Sequence, residues 1–407
     1  MTPIYLDHNS TTPLLPEVAE AMLEVARAGY VNPASQHQLG QRARRLLEAT
    51  REAILSLLGG KTSGMDADRL LFTSGGTEAN NLALRGLAGA PPGRVIVSSL
   101  EHPSILGPAE YLATQGAQVD HIRALTDGSV DLMHFEQLLN DGATPRVVSV
   151  MAANNETGKC QPIAAIEQTC HTRGIPFHTD AVQLIGKANN IWAQSPGISA
   201  MTIAAHKFHG PVGIGGLLLR SHVQPEPLLF GGFQQEGLRP GTESLILAVG
   251  MRKALELALA AADDRQQHLK TLRDAFVAEL TSQLPEIAIA ATDTSTGSVL
   301  PNTVNVAFIG LDRQELLLAL DMAGICCSTG SACASGSSEP SPVLVAMGLP
   351  DAVIRGSLRF SFGITNTAAE GAEAARRILK VVNDLRSRKS RPIPAVTPRQ
   401  GGEKSLQ

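Results

Sequence analysis

The sequence predicts an α/β fold with a mostly parallel central sheet and a second, smaller α/β domain. Two observations support this prediction. Between about residues 69 and 220, short β-rich runs alternate with helical patterns of ten or more residues, which is typical of βαβ units. The chain of 407 residues also exceeds the length at which one hydrophobic core stops growing, so two domains are expected.

The elements of the central sheet follow one another in a regular order. Three strand–helix pairs come first: "RLLFTS" with "TEANNLALRGLAG", "RVIVSS" with "PSILGPAEYLATQG", and "RVVSVMAA" with "PIAAIEQTCHTRG". Three further strands are then predicted from "IPFHTDA", "ISAMTIAAH" and "GIGGLLLR". A sheet built this way binds its ligands at the carboxyl ends of its strands.

The second half of the chain predicts a connecting helix and a smaller unit. Residues 244–284 predict one long helix, apolar at first and amphipathic later, that bridges two domains. The smaller α/β unit is predicted from "TVNVAFIG", "DRQELLLALDMAG", "SLRFSFG" and "AAEGAEAARRILKVVNDLRS". We therefore expect a large domain at 16–260, a small domain formed by 1–15 and 261–388, and a disordered tail at 389–407.

Composition excludes several classes of function. With 43% apolar residues and a net charge of -4, the chain is globular and has no basic surplus for nucleic acid or an anionic membrane. It begins without a signal peptide and contains no apolar run of membrane-spanning length. Five cysteines are too few for a disulfide scaffold, so a reducing, cytoplasmic location is expected.

Polar residues with chemical potential stand at the ends of predicted strands. His206 and Lys207 follow an apolar run, where partial desolvation lowers the pKa of a lysine and makes its amine nucleophilic. Such a lysine suits a Schiff base with an aldehyde cofactor. Asp180 ends another apolar strand, where a carboxylate needs a partner such as the pyridinium nitrogen of pyridoxal phosphate (PLP). Taken alone, Lys207 has a simpler explanation as a surface lysine at a strand end.

Two strand–helix junctions add to this pattern. Gly76 and Thr77 open a helix whose free N–H groups would hold a phosphate, although a plain helix start explains them equally well. His102 lies at another junction, where it could stack on an aromatic cofactor or simply cap a helix. A phosphate site, a carboxylate and a lysine on successive strands together indicate a PLP site.

The motifs also resemble those of a known family. They are, in order, "YLDHNSTTP", "NPASQH", "FTSGGTEANN", "EHPS", "ANNETG", "HTDAVQ", "AHKFHGPVGIG", "RPGTES", "STGSACASGSSEPSPVL" and "SLRFSFG". The chain resembles the cysteine desulfurases, which are fold-type-I, PLP-dependent transferases of the class V aminotransferase group. The resemblance covers about residues 4 to 388. The loop around Cys333 resembles the branch that supplies sulfur for iron–sulfur cluster assembly and tRNA thiolation.

This resemblance implies roles for individual residues. Lys207 would bind PLP as a Schiff base, Asp180 would pair with its pyridine nitrogen, and Gln183 would pair with its ring hydroxyl. The residues implied to contact PLP are Gly76, Thr77, His102, Asn155, Asp180, Gln183, His206, Lys207 and, from the other subunit of a homodimer, Thr242. The implied catalytic residues are Lys207, Cys333 and His102, the last stacked over the ring.

The carboxylate of the substrate L-cysteine would be held by Asn155 and Arg359, the latter with a bidentate geometry that lysine cannot copy. Without the resemblance, Asn155 is explained as a turn residue and Arg359 as a strand arginine in an ion pair.

Three of the five cysteines lie close together, between residues 326 and 333. Cys333 matches the position at which the family forms a persulfide: its thiolate attacks the substrate sulfur, alanine leaves, and the sulfur passes to an acceptor protein. Cys326 and Cys327 follow an apolar helix pattern and are predicted to be structural residues of a buried strand.

The chain departs from the family at two places. Ala204 stands where a serine often helps to bind phosphate, which removes a hydrogen bond worth roughly 0.5–1.5 kcal/mol. The tail after residue 390 does not resemble the segment on which a scaffold protein docks, so the sulfur acceptor stays open.

Two alternative functions also stay open from the sequence alone. One is a different PLP reaction, either that of a selenocysteine lyase or that of an aminotransferase. The other is a metal or cluster carrier that uses Cys326, Cys327 and Cys333, but zinc sites pair their cysteines at a different spacing. We therefore expect no resident metal and at most a transient contact of Cys333 with a cluster.

Overall fold

The computed structural model describes residues 2–291, 297–330 and 339–389. Within these ranges it contains twelve β-strands and twelve α-helices. The strands are β1 (Ile4–Tyr5), β2 (Arg69–Thr73), β3 (Val95–Ser98), β4 (Val119–Ile122), β5 (Val147–Ser149), β6 (Phe177–Asp180), β7 (Ile198–Ala204), β8 (Gly215–Leu219), β9 (Ile287–Ile289), β10 (Thr303–Phe308), β11 (Ile325–Cys326) and β12 (Ser357–Ser361). The helices are α1 (Pro16–Arg27), α2 (Gln38–Leu57), α3 (Gly76–Ala88), α4 (Pro103–Thr114), α5 (Leu132–Asn140), α6 (Ile163–Thr172), α7 (Leu245–Ala260), α8 (Ala262–Gln283), α9 (Arg313–Met322), α10 (Pro342–Ala346), α11 (Asp351–Gly356) and α12 (Ala368–Lys389).

A seven-stranded, mostly parallel sheet forms the centre of the molecule. Its strand order is β2-β8-β7-β6-β5-β3-β4, and only β8 runs opposite to the others. The inner strands β5, β6 and β7 are buried along their whole length, as their apolar sequences require. The predicted α/β fold is confirmed.

One strand of this sheet was not predicted. The segment that forms β4 reads "VDHI", and its two adjacent polar residues suit its position at the edge of the sheet. A run of four residues with two polar side chains gives little strand signal in the sequence.

The C-terminal half forms two small sheets. Strands β12, β10 and β9 form an antiparallel sheet in that order, while β1 pairs in parallel with β11. Single bridges from Asp7 to Ser361 and from Ser328 to Arg359 join the two sheets. The first residues of the chain therefore belong to the same small sheets as strands from its C-terminal part.

The prediction of one long helix over residues 244–284 is wrong. The chain forms α7 and α8, separated at Ala261, whose φ of -129° and ψ of 39° are not helical. Asp263 and Asp264 lie in the first turn of α8, where the helix dipole favours negative charge. The two helices contribute to different apolar clusters.

Two large apolar clusters account for most of the buried side chains. The first surrounds the central sheet and includes Leu255 and Ala258 of α7. The second includes Leu269 and Phe276 of α8, with Phe276 packed 5.2 Å from Phe360 between ring centres. The predicted domain boundary at residue 260 coincides with the break between α7 and α8, and the division into two domains itself stays a prediction.

None of the helices in the described ranges has both the length and the apolar character needed to span a membrane.

Candidate active site

A cavity of about 530 Å³ opens at the carboxyl ends of the parallel strands. It collects side chains that are far apart in the sequence, because strands running in one direction end at one edge of the sheet. Nine residues that the sequence predicts for the site line this cavity, namely Gly76, Thr77, His102, Asn155, Asp180, Gln183, His206, Lys207 and Arg359. Ala204, the position of the missing serine, lines it as well.

Two predicted residues are not part of this lining. Thr242 is exposed in the turn before α7, so within one chain it does not reach the cavity. Cys333 lies outside the described residues. The predicted tail at 389–407 also lies outside them from residue 390 onwards, while its first residue, Lys389, is the last residue of α12.

Asp180 ends β6 with both carboxylate oxygens held by donors. Its Oδ2 accepts a hydrogen bond of 2.7 Å from Nδ2 of Asn80, and its Oδ1 accepts one of 2.9 Å from the backbone N–H of Val182. The side chain is almost fully buried at the cavity wall. These bonds fix the direction in which the carboxylate faces a ligand.

His102 both caps a helix and lines the cavity, while its stacking on a cofactor stays a prediction. Its Nδ1 accepts the backbone N–H of Ser104 at 3.1 Å at the start of α4, and Ser104 Oγ lies 2.8 Å from the same atom. The proton of the neutral ring is therefore on Nε2. Burial lowers the pKa of His102, which keeps the ring neutral.

Asn80 connects His102 to Asp180. The Nδ2 group of Asn80 donates to Asp180 Oδ2 and, at 2.8 Å, to Ser104 Oγ, which in turn contacts the imidazole. Asn80 is buried in α3, and its place in the sequence does not indicate this role. One amide thus contacts Asp180 directly and His102 through Ser104.

Lys207 lies in a short helical turn directly after β7. Its Nζ donates to the backbone carbonyls of Asn9 at 2.7 Å and Ser10 at 2.8 Å. The neighbouring His206 contacts Thr11 Oγ1 through Nδ1 at 3.2 Å, and burial, followed by the charge of Lys207, lowers its pKa to about 4. The N-terminal segment from Asn9 to Thr11 therefore forms one wall of the site.

Arg359 is buried in β12 and held on several sides. Its Nη2 donates to Asp7 Oδ1 at 2.7 Å and to Ser10 Oγ at 2.8 Å, while its Nη1 donates to the carbonyls of Asn155 at 3.0 Å and Gly330 at 3.3 Å. The buried Nε has no hydrogen-bond partner among the described residues. The four bonds orient the guanidinium at the cavity wall, which suits the recognition of a carboxylate.

The turn before α3 leaves room for a phosphate. The first N–H groups of α3 have no partner within the helix, and the cavity reaches Gly76 and Thr77. A Cβ atom at Gly215 would lie 2.6 Å from the backbone carbon of Gly75, so β8 needs a glycine here. Ala204 is buried close to Gly76 and offers no hydroxyl, as its sequence indicates.

Several lining or supporting residues escaped the sequence analysis. Glu101 is fully buried, and its Oε1 accepts from Ser98 Oγ at 2.5 Å and from the backbone N–H of Met151 at 2.8 Å. Burial raises the pKa of Glu101 to about 8. The sequence signal that could have indicated Glu101 was a charged residue soon after a buried strand. Lys187, at the end of the apolar run "AVQLIGK", gave a similar signal.

The prediction that Cys326 and Cys327 belong to a buried strand is only partly correct. Strand β11 includes Cys326 but ends before Cys327, and both residues are half-buried. The pairing of β11 with the two-residue strand β1 is too short to include both cysteines. Burial raises the pKa of each thiol, so neither is a ready thiolate.

No group of three or more histidine, cysteine, aspartate or glutamate side chains is arranged to hold a metal ion in the described part of the chain.

Comparison with known proteins supplies the family. Residues 4–371 match the class-V aminotransferase family. A cysteine desulfurase of Cereibacter sphaeroides is 39% identical over 95% of this chain and 97% of its own length. Cysteine desulfurase IscS of Dictyoglomus turgidum is 35% identical over 94% of this chain and 95% of its own length. This chain belongs to the cysteine desulfurases.

A solved NifS-like structure has the same fold. The NifS-like protein from Rickettsia africae matches with a TM-score of 0.84 and 31% identity, over 94% of this chain and 99% of the other. The relatives are named as cysteine desulfurases, and they give no support to the alternative of a selenocysteine lyase.

Cysteine desulfurases of this family depend on PLP, and the residues of the cavity fit that cofactor. PLP carries an aldehyde, a pyridine nitrogen, a ring hydroxyl and a phosphate. The cavity offers an amine at Lys207, an oriented carboxylate at Asp180, an amide at Gln183 and a helix N-terminus at Gly76. Each functional group of the cofactor therefore has a chemically matched residue in the lining.

Proposed function

We propose that this protein takes sulfur from L-cysteine, releases L-alanine and holds the sulfur as a persulfide on Cys333. The observation that supports this most strongly is that Lys207, Asp180 and Arg359 line one cavity in a chain of the cysteine desulfurase family. An amine, a carboxylate and a buried guanidinium suit a PLP enzyme that acts on an amino acid.

The cofactor contacts in this proposal follow the lining of the cavity. When bound, PLP supplies an electron sink for the bond changes at the substrate carbons. Lys207 is the covalent attachment point, and Asp180 accepts a hydrogen bond from the pyridine nitrogen. The N–H groups at Gly76 and Thr77, together with His206, hold the phosphate at the start of α3.

Substrate binding is assigned to Arg359 and Asn155, which hold the carboxylate of L-cysteine. Asp7 and Ser10 support this assignment, since they fix the guanidinium of Arg359 through its Nη2 atom. A guanidinium that is held before the substrate arrives loses little entropy on binding.

Proton transfer is assigned to Lys207, with His102 as a hydrogen-bond donor. In this proposal His102 would lie against the ring and is neutral, with its Nδ1 occupied by Ser104, so its Nε2–H donates a hydrogen bond and Nδ1 cannot accept a proton. The base for a substrate proton is therefore the amine of Lys207, whose Nζ is held at the cavity wall by two backbone carbonyls.

The sulfur-transfer step conserves atoms and electrons. The thiolate of Cys333 bonds to the sulfur of L-cysteine, and the bond between that sulfur and Cβ breaks. The electron pair stays with carbon, which is protonated to give L-alanine. The net change converts the thiol of Cys333 and L-cysteine into a persulfide and L-alanine, with no external oxidant or reductant.

The experiment that tests this proposal compares two cysteine variants. Cys333→Ala should lower the release of alanine from L-cysteine by at least about 100-fold and abolish persulfide labelling, because it removes the nucleophile. Cys326→Ala is the matched control and should keep both within about twofold of the wild type, since burial keeps the Cys326 thiol protonated. Full sulfur release by Cys333→Ala would contradict the proposal.

We further assign the protein as a homodimer in which Thr242 reaches the phosphate in the cavity of the partner. Two large apolar side chains near Thr242, Phe230 and Phe233, are 87% and 94% exposed in the single chain. Apolar side chains this exposed are typical of an interface. The dimer also explains why Thr242 does not line the cavity of its own chain.

We assign the sulfur to an acceptor protein of iron–sulfur cluster assembly or tRNA thiolation. The cytoplasmic location that we propose rests on the composition, since five cysteines in 407 residues suit a reducing compartment. Incubating the persulfide form with lysate and identifying proteins that gain labelled sulfur from it tests both the transfer and the acceptor.

A further inference from the structure

Lys187 is a buried lysine outside the roles assigned so far. It follows the short turn after β6, and its Nζ donates to Gln183 Oε1 at 2.6 Å and to Asn9 Oδ1 at 2.9 Å. Burial lowers the pKa of Lys187, yet at least two N–H groups remain on the amine in either protonation state. Both hydrogen bonds can therefore form whether or not the amine is charged.

The side-chain amide of Asn9 can take only one orientation. Its Nδ2 donates to the carbonyl of Asn155 at 3.2 Å and to Thr303 Oγ1 at 2.8 Å. A backbone carbonyl can only accept, so Nδ2 must face Asn155 and Oδ1 must face Lys187. Asn302 also donates to this Oδ1 at 3.0 Å. Asn9 is thus a fixed partner for Lys187.

The same argument fixes the amide of Gln183. Its Nε2 donates to the backbone carbonyl of Asn9 at 2.9 Å, and a carbonyl can only accept, so Oε1 must face Lys187. Flipping the amide would set Oε1 against this carbonyl and Nε2 against the N–H groups of Lys187. Two separate contacts therefore oppose the flip.

One hydrogen of the Gln183 amide nitrogen remains after the bond to Asn9. Gln183 lines the cavity, and no second acceptor for Nε2 is found in the part of the chain that the structure describes. The group that Gln183 offers to a ligand is thus a hydrogen-bond donor and not an acceptor. A donor stabilises an oxygen that carries negative charge.

We propose that Lys187 is a positioning residue that locks the Gln183 amide with its nitrogen toward the cavity, so that the site offers a donor to the ring oxygen of PLP. This inference rests on the proposed contact of Gln183 with the ring hydroxyl. Lys187 acts through Gln183 and does not itself touch the cofactor. It also ties that amide to Asn9, whose carbonyl accepts from Lys207.

The test is the affinity of the full chain for PLP, measured after the cofactor is removed and titrated back. Lys187→Met should raise the dissociation constant for PLP about tenfold and shift the visible absorption band, because the amide is then free to flip. Gln183→Leu should weaken binding by a similar factor. The double variant should bind no more weakly than Gln183→Leu alone, since Lys187 acts through that amide.

Two further variants keep the proposal open to contradiction. Lys253→Met, in α7 and away from the cavity, should bind PLP like the wild type. Gln183→Glu leaves an acceptor for Lys187 but removes the donor, so it should weaken PLP binding even if Lys187→Met fails to fold. Wild-type affinity in Lys187→Met or in Gln183→Glu, or losses that add in the double variant, would overturn the proposal.

These titrations contain no L-cysteine. Their outcome therefore does not depend on whether the proposed desulfurase reaction is correct, and a failed activity assay and a failed positioning role are distinguishable.

Discussion

Glu101 is a carboxyl group that the fold keeps protonated near neutral pH. Burial is the largest cause of its raised pKa of about 8, and the hydrogen bonds from Ser98 and Met151 only partly oppose it. In the unfolded chain a glutamate titrates near pH 4.3. Between these two values the folded state binds the extra proton, so this group stabilises the fold at low pH and that stabilisation is lost as pH rises toward 8.

Glu101→Gln should remove this pH dependence, because glutamine mimics the protonated acid. From about pH 5.5 to about pH 7.5, the unfolding free energy of the wild type should fall relative to the variant by roughly 1.4 kcal/mol per pH unit. Urea unfolding at several pH values measures the difference, and the buried histidines cancel because both proteins contain them. Glu52→Gln on the exposed face of α2 is the control, for which a constant difference is expected. A constant difference for Glu101→Gln as well would contradict the raised pKa.

At the residue scale, residues with a predicted chemical role are easier to find from the sequence than the residues that support them. Lys207 and Asp180 follow apolar strands, so their position in the sequence already places them at the ligand-binding edge of a parallel sheet. Asn9 and Lys187 are 178 residues apart, and nothing local shows that they meet. Their role depends on tertiary contacts that only the folded chain provides.

At the scale of elements, the turn before α3 depends on a close approach by β8. Gly215 pairs with Thr73 and Ala204 in the sheet, and its missing side chain lets the backbone of Gly75 pass at the start of the helix. The geometry of the turn before α3 thus depends on a strand that lies about 140 residues further along the chain.

Gly215→Ala should disturb this turn. Its Cβ would lie 2.6 Å from the backbone of Gly75, which forces a shift in the turn. We expect a loss of about 1–3 kcal/mol in the free energy of unfolding together with weaker PLP binding.

The control is Gly371→Ala in α12, where nothing lies within 4 Å of the new methyl group. This variant should gain up to about 1 kcal/mol, because alanine favours helix over glycine. Thermal melts and PLP titration measure both variants, and equal behaviour of the two would contradict the close approach at Gly215.

Element prediction from the sequence succeeds where the hydrophobic pattern is strong. Strands such as β7 are uniformly apolar and bounded by turns, and the sequence locates them within a residue or two. It fails for β4, whose polar residues suit an edge, and for α7 and α8, whose helical patterns merge. The break at Ala261 reflects the need to pack against two cores, and a one-dimensional pattern does not contain that information.

At the scale of the whole molecule, the loop that leads to Thr242 exposes two large apolar side chains. Phe230 and Phe233 lie in the loop between β8 and α7 and expose nearly all of their rings. Burying both against a second copy would remove these apolar surfaces from solvent. The homodimer proposed above covers them and completes the cavity with Thr242.

Phe230→Ser combined with Phe233→Ser should weaken the dimer at least about 100-fold, because large aromatic side chains dominate interface energies. Sedimentation velocity over a range of concentrations measures the association. Loss of dimer should be accompanied by weaker PLP retention, since Thr242 then no longer reaches a partner. Leu318→Ser, an exposed position on α9, is the control and should leave the association unchanged. A double variant that stays fully dimeric would contradict this interface.

The N-terminal segment has a consequence for the order in which the protein is made. Asp7 and Ser10 hold Arg359, and the backbone of Asn9 donates to Ser361, so these partners are about 350 positions apart. A ribosome releases residues 7–10 first and Arg359 almost last. The central sheet can form on the nascent chain, but the wall that holds Lys207 must wait until nearly the whole message has been translated. A truncated product of stalled translation therefore lacks a complete pocket, even when most of its fold is present.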